Sequence, residues 1–148
     1  MFRESTTKRV GFLVSLSVFL VTVFVTPTTT LDPINLPKLW VLATISFGVL
    51  GILLLEAKVF TSRANFKVVV PVLLLCLLML VALSLSKAPF TQQLFGTNGR
   101  NTGFLTYFAF GILFIGSAIA TNWNMAKYFV LATSGALGIN LIYGFFQA

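Results

Sequence analysis

Five long apolar runs constrain this chain more than anything else in it: residues 10–26, 39–55, 68–85, 102–121 and 128–146. A spanning helix needs about 20 mostly apolar residues, with a range of about 17 to 25. Lipid offers the backbone no hydrogen-bond partner, so each run must satisfy its own amides as a helix. The sequence therefore predicts an all-α polytopic transmembrane bundle of about five spans, forming a single transmembrane domain over residues 1–148. Composition agrees. Of 148 residues, 57% are hydrophobic and 9% charged, and 16 are Phe; mean hydropathy is +0.99. An ordinary soluble domain is about a quarter charged, and one of this size leaves roughly a third of its unfolded surface in water. A cytosolic globular domain, a disordered tail and a disulfide-stapled module are all excluded.

The chain has no His, one Cys and three acidic residues. It therefore offers no Cys/His cluster of metal-ligand spacing and no Ser-His-Asp triad, so neither metal nor cofactor is expected. Cys76 lies inside an apolar run and reads as a small buried hydrophobe. The net charge of +7 comes from ten basic residues placed in short connectors. They form no basic stripe interleaved with aromatics, so they read as cationic anchors at a membrane surface and not as a nucleic-acid site.

Those anchors set the orientation. With a cytoplasmic N-terminus, the inside segments hold Arg3, Lys8, Arg9, Lys58, Arg63, Lys67 and Lys127, and the outside segments hold Lys38, Lys87 and Arg100. Seven against three predicts N-terminus in and C-terminus out. The first run also has the basic start and apolar core of a cleaved signal peptide. Its length and the lack of an Ala-x-Ala site favour an uncleaved span.

Within the spans, Pro71 is expected in a first turn, where a missing N–H costs little. Small residues let helices approach closely. Gly48 and Gly51, Gly116 and Ala120, and the group Ala132, Gly135, Ala136 and Gly138 read as packing faces. Asn140, the one amide deep in a span, reads as an interhelical hydrogen bond, with a substrate-pathway role as the alternative. Glu56 reads as an interfacial charge near Lys58, and residues 122–124 as the turn before the last span.

Two outside connectors, 27–38 and 86–101, are longer and richer in Pro, Gly, Asn and Thr than the inside turns. Three prolines stiffen the first. Asp32 or Asn35 can cap the following helix, with Pro37 near its first turn. Asp32 and Lys38 are either part of a rigid lead-in or the rim of an external cavity. In the second, the amphipathic stretch 89–95 suits the membrane interface, and Asn98-Gly99 signals a tight turn. Gly96, Gly99 and Gly103 permit close approach of another backbone or a ligand. Asn101 or Thr102 can cap the next helix. A guanidinium at Arg100, free N–H groups and a helix start together favour phosphate oxygens; a plain turn with a snorkelling Arg is the competing reading. The loop lacks the Lys-Ser/Thr end of a Walker A motif.

These connectors carry a resemblance. Asp32-Pro33-Ile34-Asn35-Leu36-Pro37-Lys38 and Leu94-Phe95-Gly96-Thr97-Asn98-Gly99-Arg100-Asn101-Thr102-Gly103 resemble segments of bacterial O-antigen ligase and O-antigen polymerase-like membrane proteins. The second fills a Gly-x-x-x-Arg-x-x-Gly pattern with Gly96, Arg100 and Gly103. Members of that family are multi-spanning transferases of the bacterial inner membrane that move a glycan from a polyprenyl diphosphate carrier, without metal or nucleotide. The resemblance implies that Arg100, with Gly96, Gly99 and Asn101, lies at the carrier diphosphate. It covers nearly all of this chain but only the opening part of a typical member, and the family's large periplasmic loop with further basic residues has no counterpart here. The chain is then expected to be an N-terminal portion of the family architecture, or a small protein that keeps its front half.

Two function classes follow. One is the membrane-embedded portion of a glycosyltransferase of polysaccharide biosynthesis, handling lipid-linked glycan on the periplasmic side; no residue stands out as its general base. The other is a small non-catalytic membrane subunit that packs in a larger complex and binds lipid or pigment. No span bears the run of ionisable groups that a pore or ion carrier needs.

Overall fold

The computed structural model describes residues 4–24, 35–56, 63–97, 100, 102–120 and 123–147. Six helices follow one another: α1 (Glu4–Val23), α2 (Asn35–Leu55), α3 (Arg63–Leu85), the short α4 (Phe90–Phe95), α5 (Phe104–Ala120) and α6 (Trp123–Gln147). There is no strand among the described residues. Four of them, α1, α2, α3 and α6, are long and apolar enough to cross a membrane. The fifth apolar run folds as α5, whose 17 residues sit at the short end of that range. The chain is an all-α membrane protein.

Helix starts lie outside the apolar runs. α1, α2, α3 and α6 begin four to six residues before the hydropathic boundary, because helical hydrogen bonding continues through interfacial residues that hydropathy counts as connector. At α1 an i,i+4 pair supports the added turn, with Lys8 Nζ 2.7 Å from Glu4 Oε1. The early start of α3 corrects the reading of Pro71. It lies two turns inside the helix, where it removes an interior hydrogen bond. Pro37 does fall in the first turn of α2. The turn expected at 122–124 is shorter than the sequence suggests, because α6 already begins at Trp123.

α5 is the central helix and packs against α1, α2, α3 and α4, while α6 packs on α1. Gly116 meets Val49 of α2 and Val10 of α1, and Gly111 meets Val72 of α3. Small residues thus bring backbones together where apolar area alone gives no advantage over lipid. Ala120 and Ala136 are buried as expected. Gly48, Gly51 and Gly138 are not close-packing positions: a Cβ at any of them would meet nothing within 4 Å among the described residues. Asn140 also departs from expectation. Its Nδ2 donates to Ala136 O of its own helix, at 3.0 Å. The buried hydroxyls behave likewise: Ser15 donates to Gly11 O and Ser46 to Ala43 O, each at 2.9 Å. Each is satisfied locally and packs as a small residue.

Pairings give the helix directions. Met125 lies on Gly11 and Phe19 on Gly135, so α1 and α6 run parallel. Phe47 meets Phe108 and Val49 meets Gly116, so α2 and α5 run parallel too. These directions are those of a chain that reverses at every connector between successive long helices. Thr6, Glu56 and Met125 then share one end of the bundle, and Lys38, Arg100 and Thr106 the other. Following the charge rule, we call these the inner and outer ends.

Candidate functional site

The outer end is built around the segment that follows α4. Gly96 ends that helix with φ 92° and donates its N–H to Gln92 O at 2.8 Å. This left-handed conformation favours Gly over any side chain. Seven residues on, Gly103 packs directly on the backbone of Leu94 and Gly96, where a Cβ would overlap Leu94 O and Gly96 N. The two glycines thus close the neck of a loop. Between them the Arg100 N–H donates to Thr97 O at 3.0 Å, an i to i+3 bond of the kind that closes a turn. The two glycines of the Gly-x-x-x-Arg-x-x-Gly spacing have a backbone cause: they hold this neck.

Gly103, not Asn101 or Thr102, immediately precedes α5, and its C=O accepts from Thr106 N at 3.1 Å. Thr106 in that first turn lines a cavity of about 140 Å³ together with Arg100, and Asn35 and Lys38 of α2 line it from the facing side. Val21, Leu42 and Phe110 are its apolar walls. Gly103, just before α5, and Phe104 at its very start line a neighbouring cavity and not this one.

Two of the sequence-selected residues, Arg100 and Lys38, therefore share one cavity although they are far apart in the chain. Gly96 shapes the loop that carries Arg100. Gly99, Asn101 and Asp32 lie outside the described residues. Asn35 was legible only as a helix cap and Thr106 not at all, since each needs the helix directions to reach the cavity. The carboxylates among the described residues are Glu4 and Glu56, both at the inner end, so Lys38 and Arg100 have no carboxylate partner among them. No group of His, Cys, Asp and Glu that could hold a metal occurs among the described residues. Two cations, Lys38 on α2 and Arg100 on the loop before α5, can together hold an anion with several oxygens, phosphate or diphosphate above all.

A second outer cavity, of about 430 Å³, lies across the loop between α3, α4 and α5, with Gln92, Gln93, Thr97 and Thr102 in its lining. Gln93 is committed to structure: its Nε2 donates to Ser86 O at 3.3 Å and to Ala88 O.

The fold and this end of the bundle define a helical membrane protein with a cationic cavity at one face. No family model, curated protein or solved structure matches the chain.

Proposed function

We propose that this chain is the membrane-embedded portion of an O-antigen ligase-like glycosyltransferase of the bacterial inner membrane, handling polyprenyl-diphosphate-linked glycan on the periplasmic side. One observation carries the reading: the two connectors that bear the resemblance supply Lys38 and Arg100 to one cavity. In such a transfer the bond from the anomeric carbon to the diphosphate oxygen breaks. The diphosphate leaves with the electron pair, and an acceptor hydroxyl forms the new bond and gives up its proton. Charge gathers on the leaving diphosphate. A fixed guanidinium and an ammonium beside it favour the transition state over the ground state. In this reading Arg100 grips two phosphate oxygens at once. Gly96, Gly99 and Asn101 let the backbone come close, and Lys38 and Asp32 form the rim. The reading calls for no metal and no nucleotide.

The test is glycan transfer by the full-length protein in proteoliposomes. Arg100→Ala is expected to lower the rate by about a hundredfold or more, the scale of losing a charge-stabilising donor. Arg100→Lys should restore only part of it, since a point charge cannot grip two oxygens. Unchanged transfer in Arg100→Ala contradicts the proposal.

A second reading has one observation of its own. Only 6% of the apolar window of α3 and of α6 is buried, against 33% for α1 and α2. Such faces suit lipid, and they equally suit neighbouring subunits of a larger complex. Copurification from native membranes in a stoichiometric assembly, with no transfer activity, would favour this non-catalytic subunit.

A further inference from the structure

The loop between Gly96 and Gly103 has two sides. Arg100 lines the cationic cavity, while Thr97, Thr102 and Gly103 line the second outer cavity, of about 430 Å³. The two spaces share no lining residue and differ in chemistry. None of the described residues around the second cavity is a Lys, Arg, Asp or Glu. Its volume falls in the range of small-molecule sites, about 300–1,000 Å³.

The polar groups of this cavity are of two kinds. Gln93 and Ser86 are spent on structure: Gln93 Nε2 donates to Ser86 O and Ala88 O, and Ser86 Oγ accepts from Ala88 N at 3.2 Å. The Gln92 amide and the Thr97 and Thr102 hydroxyls make no hydrogen bond among the described residues. Only the main-chain oxygens of Gln92 and Thr97 are used, by the N–H groups of Gly96 and Arg100. Each of the three side chains can both donate and accept. The rest of the wall is apolar: Met79, Ala82 and Leu83 of α3, and Phe104, whose ring stacks on Phe108 with centroids 5.7 Å apart.

We infer that this cavity is a saccharide site that seats one uncharged sugar ring of the acceptor. A sugar ring divides its chemistry in the same way. Hydroxyls around its edge both donate and accept, and the C–H groups of its faces lie well against apolar and aromatic side chains. A phosphorylated or acidic ring would find no cation here. A purely apolar ligand would strip water from three polar side chains and give them no partner. Those side chains are exposed, as a site filled from the aqueous side requires. The acceptor role rests on the proposed function, whereas the sugar site rests on the cavity alone. The inference adds where the acceptor sits, across the loop from the diphosphate, and that the ring held there is neutral.

Saturation-transfer NMR on the whole chain in nanodiscs tests the site, with the methyl α-glycosides of glucose, galactose, mannose and N-acetylglucosamine as probes. At least one is expected to bind and to receive saturation at its ring C–H protons. Gln92→Ala and Thr102→Val should each weaken that binding by about three- to tenfold, the effect of one lost hydrogen bond, with the helical circular dichroism signal kept. Arg100→Ala should leave it unaltered. Binding by none of these probes, wild-type affinity in both cavity variants, or loss of binding in Arg100→Ala overturns the inference. Tighter binding of glucose 6-phosphate or methyl glucuronide than of the neutral glycosides also overturns it. In glycan transfer by the full-length protein, Gln92→Ala should raise KM for the acceptor far more than it lowers kcat, and leave KM for the lipid-linked donor unchanged. A raised donor KM instead assigns the site to the carrier's own glycan and overturns the acceptor role. Sugar binding with no transfer would remove the proposed function and leave the saccharide site. Transfer with wild-type KM values in Gln92→Ala would do the reverse.

Discussion

The two ends of the bundle solve opposite problems. At the inner end polar groups find partners within the chain: Thr6 Oγ1 donates to Glu56 Oε1 at 2.7 Å across α1 and α2, and Lys8 pairs with Glu4. At the outer end Lys38 and Arg100 approach one cavity, and no described carboxylate answers them. Like charges brought toward one cavity repel one another. Glycine geometry sustains the arrangement, through the Gly96 and Gly103 neck. The contrast teaches that the inner end ties helices together through polar contacts, whereas the outer end gathers two cations on one cavity, where the proposed function needs an anion.

The largest effect should come from closing off the neck. Gly103→Ala sets a methyl group onto the backbone of Leu94 and Gly96, so the loop must open. Diphosphate-lipid binding should fall as far as in Arg100→Ala while circular dichroism keeps its helical signal. Retained binding would show that the loop does not position Arg100. Next in size is Gly116→Val, because a Cβ there lies 2.8 Å from Val49 Cγ1. Overpacking of this kind costs about 1–3 kcal/mol, read as a lower thermal midpoint in detergent. Gly48→Val, with nothing within 4 Å, should leave that midpoint unchanged. Equal behaviour of the two would deny α5 its central place. The smallest effect belongs to the inner end. Thr6→Val removes one hydrogen bond, worth about 1 kcal/mol, and should lower the midpoint slightly without touching lipid binding. A loss of binding there would mean the two ends are coupled.

Much of the fold was legible because bilayer thickness fixes helix length and lipid forbids unpaired backbone. Helix limits were less so. Hydropathy marks the hydrocarbon slab, while the Glu4–Lys8 pair and the 63–67 turn extend helices beyond it, which is how Pro71 comes to lie in a helix interior. Small residues could be counted from the sequence, but which of them face a neighbour depends on helix rotation. Hence Gly116 packs and Gly48 does not. Asn140 turned to its own helix because Ala136 O was within reach. The close approach of the chain at Gly96 and Gly103 followed from the glycines themselves. The meeting of Arg100 with Lys38 did not, since that needs α2 and α5 to run parallel and in register.

The central claim is that Lys38 and Arg100 act on one anion, and a double-mutant cycle measures it directly. Farnesyl diphosphate affinity is determined for the wild type, Lys38→Ala, Arg100→Ala and the double variant in nanodiscs. Groups that share a ligand are expected to be non-additive by about 0.5 kcal/mol or more, whereas independent sites add within about 0.3–0.5 kcal/mol. Both single variants should weaken binding, and the double should depart from their sum. Strict additivity, or a single variant with wild-type affinity, would contradict the account.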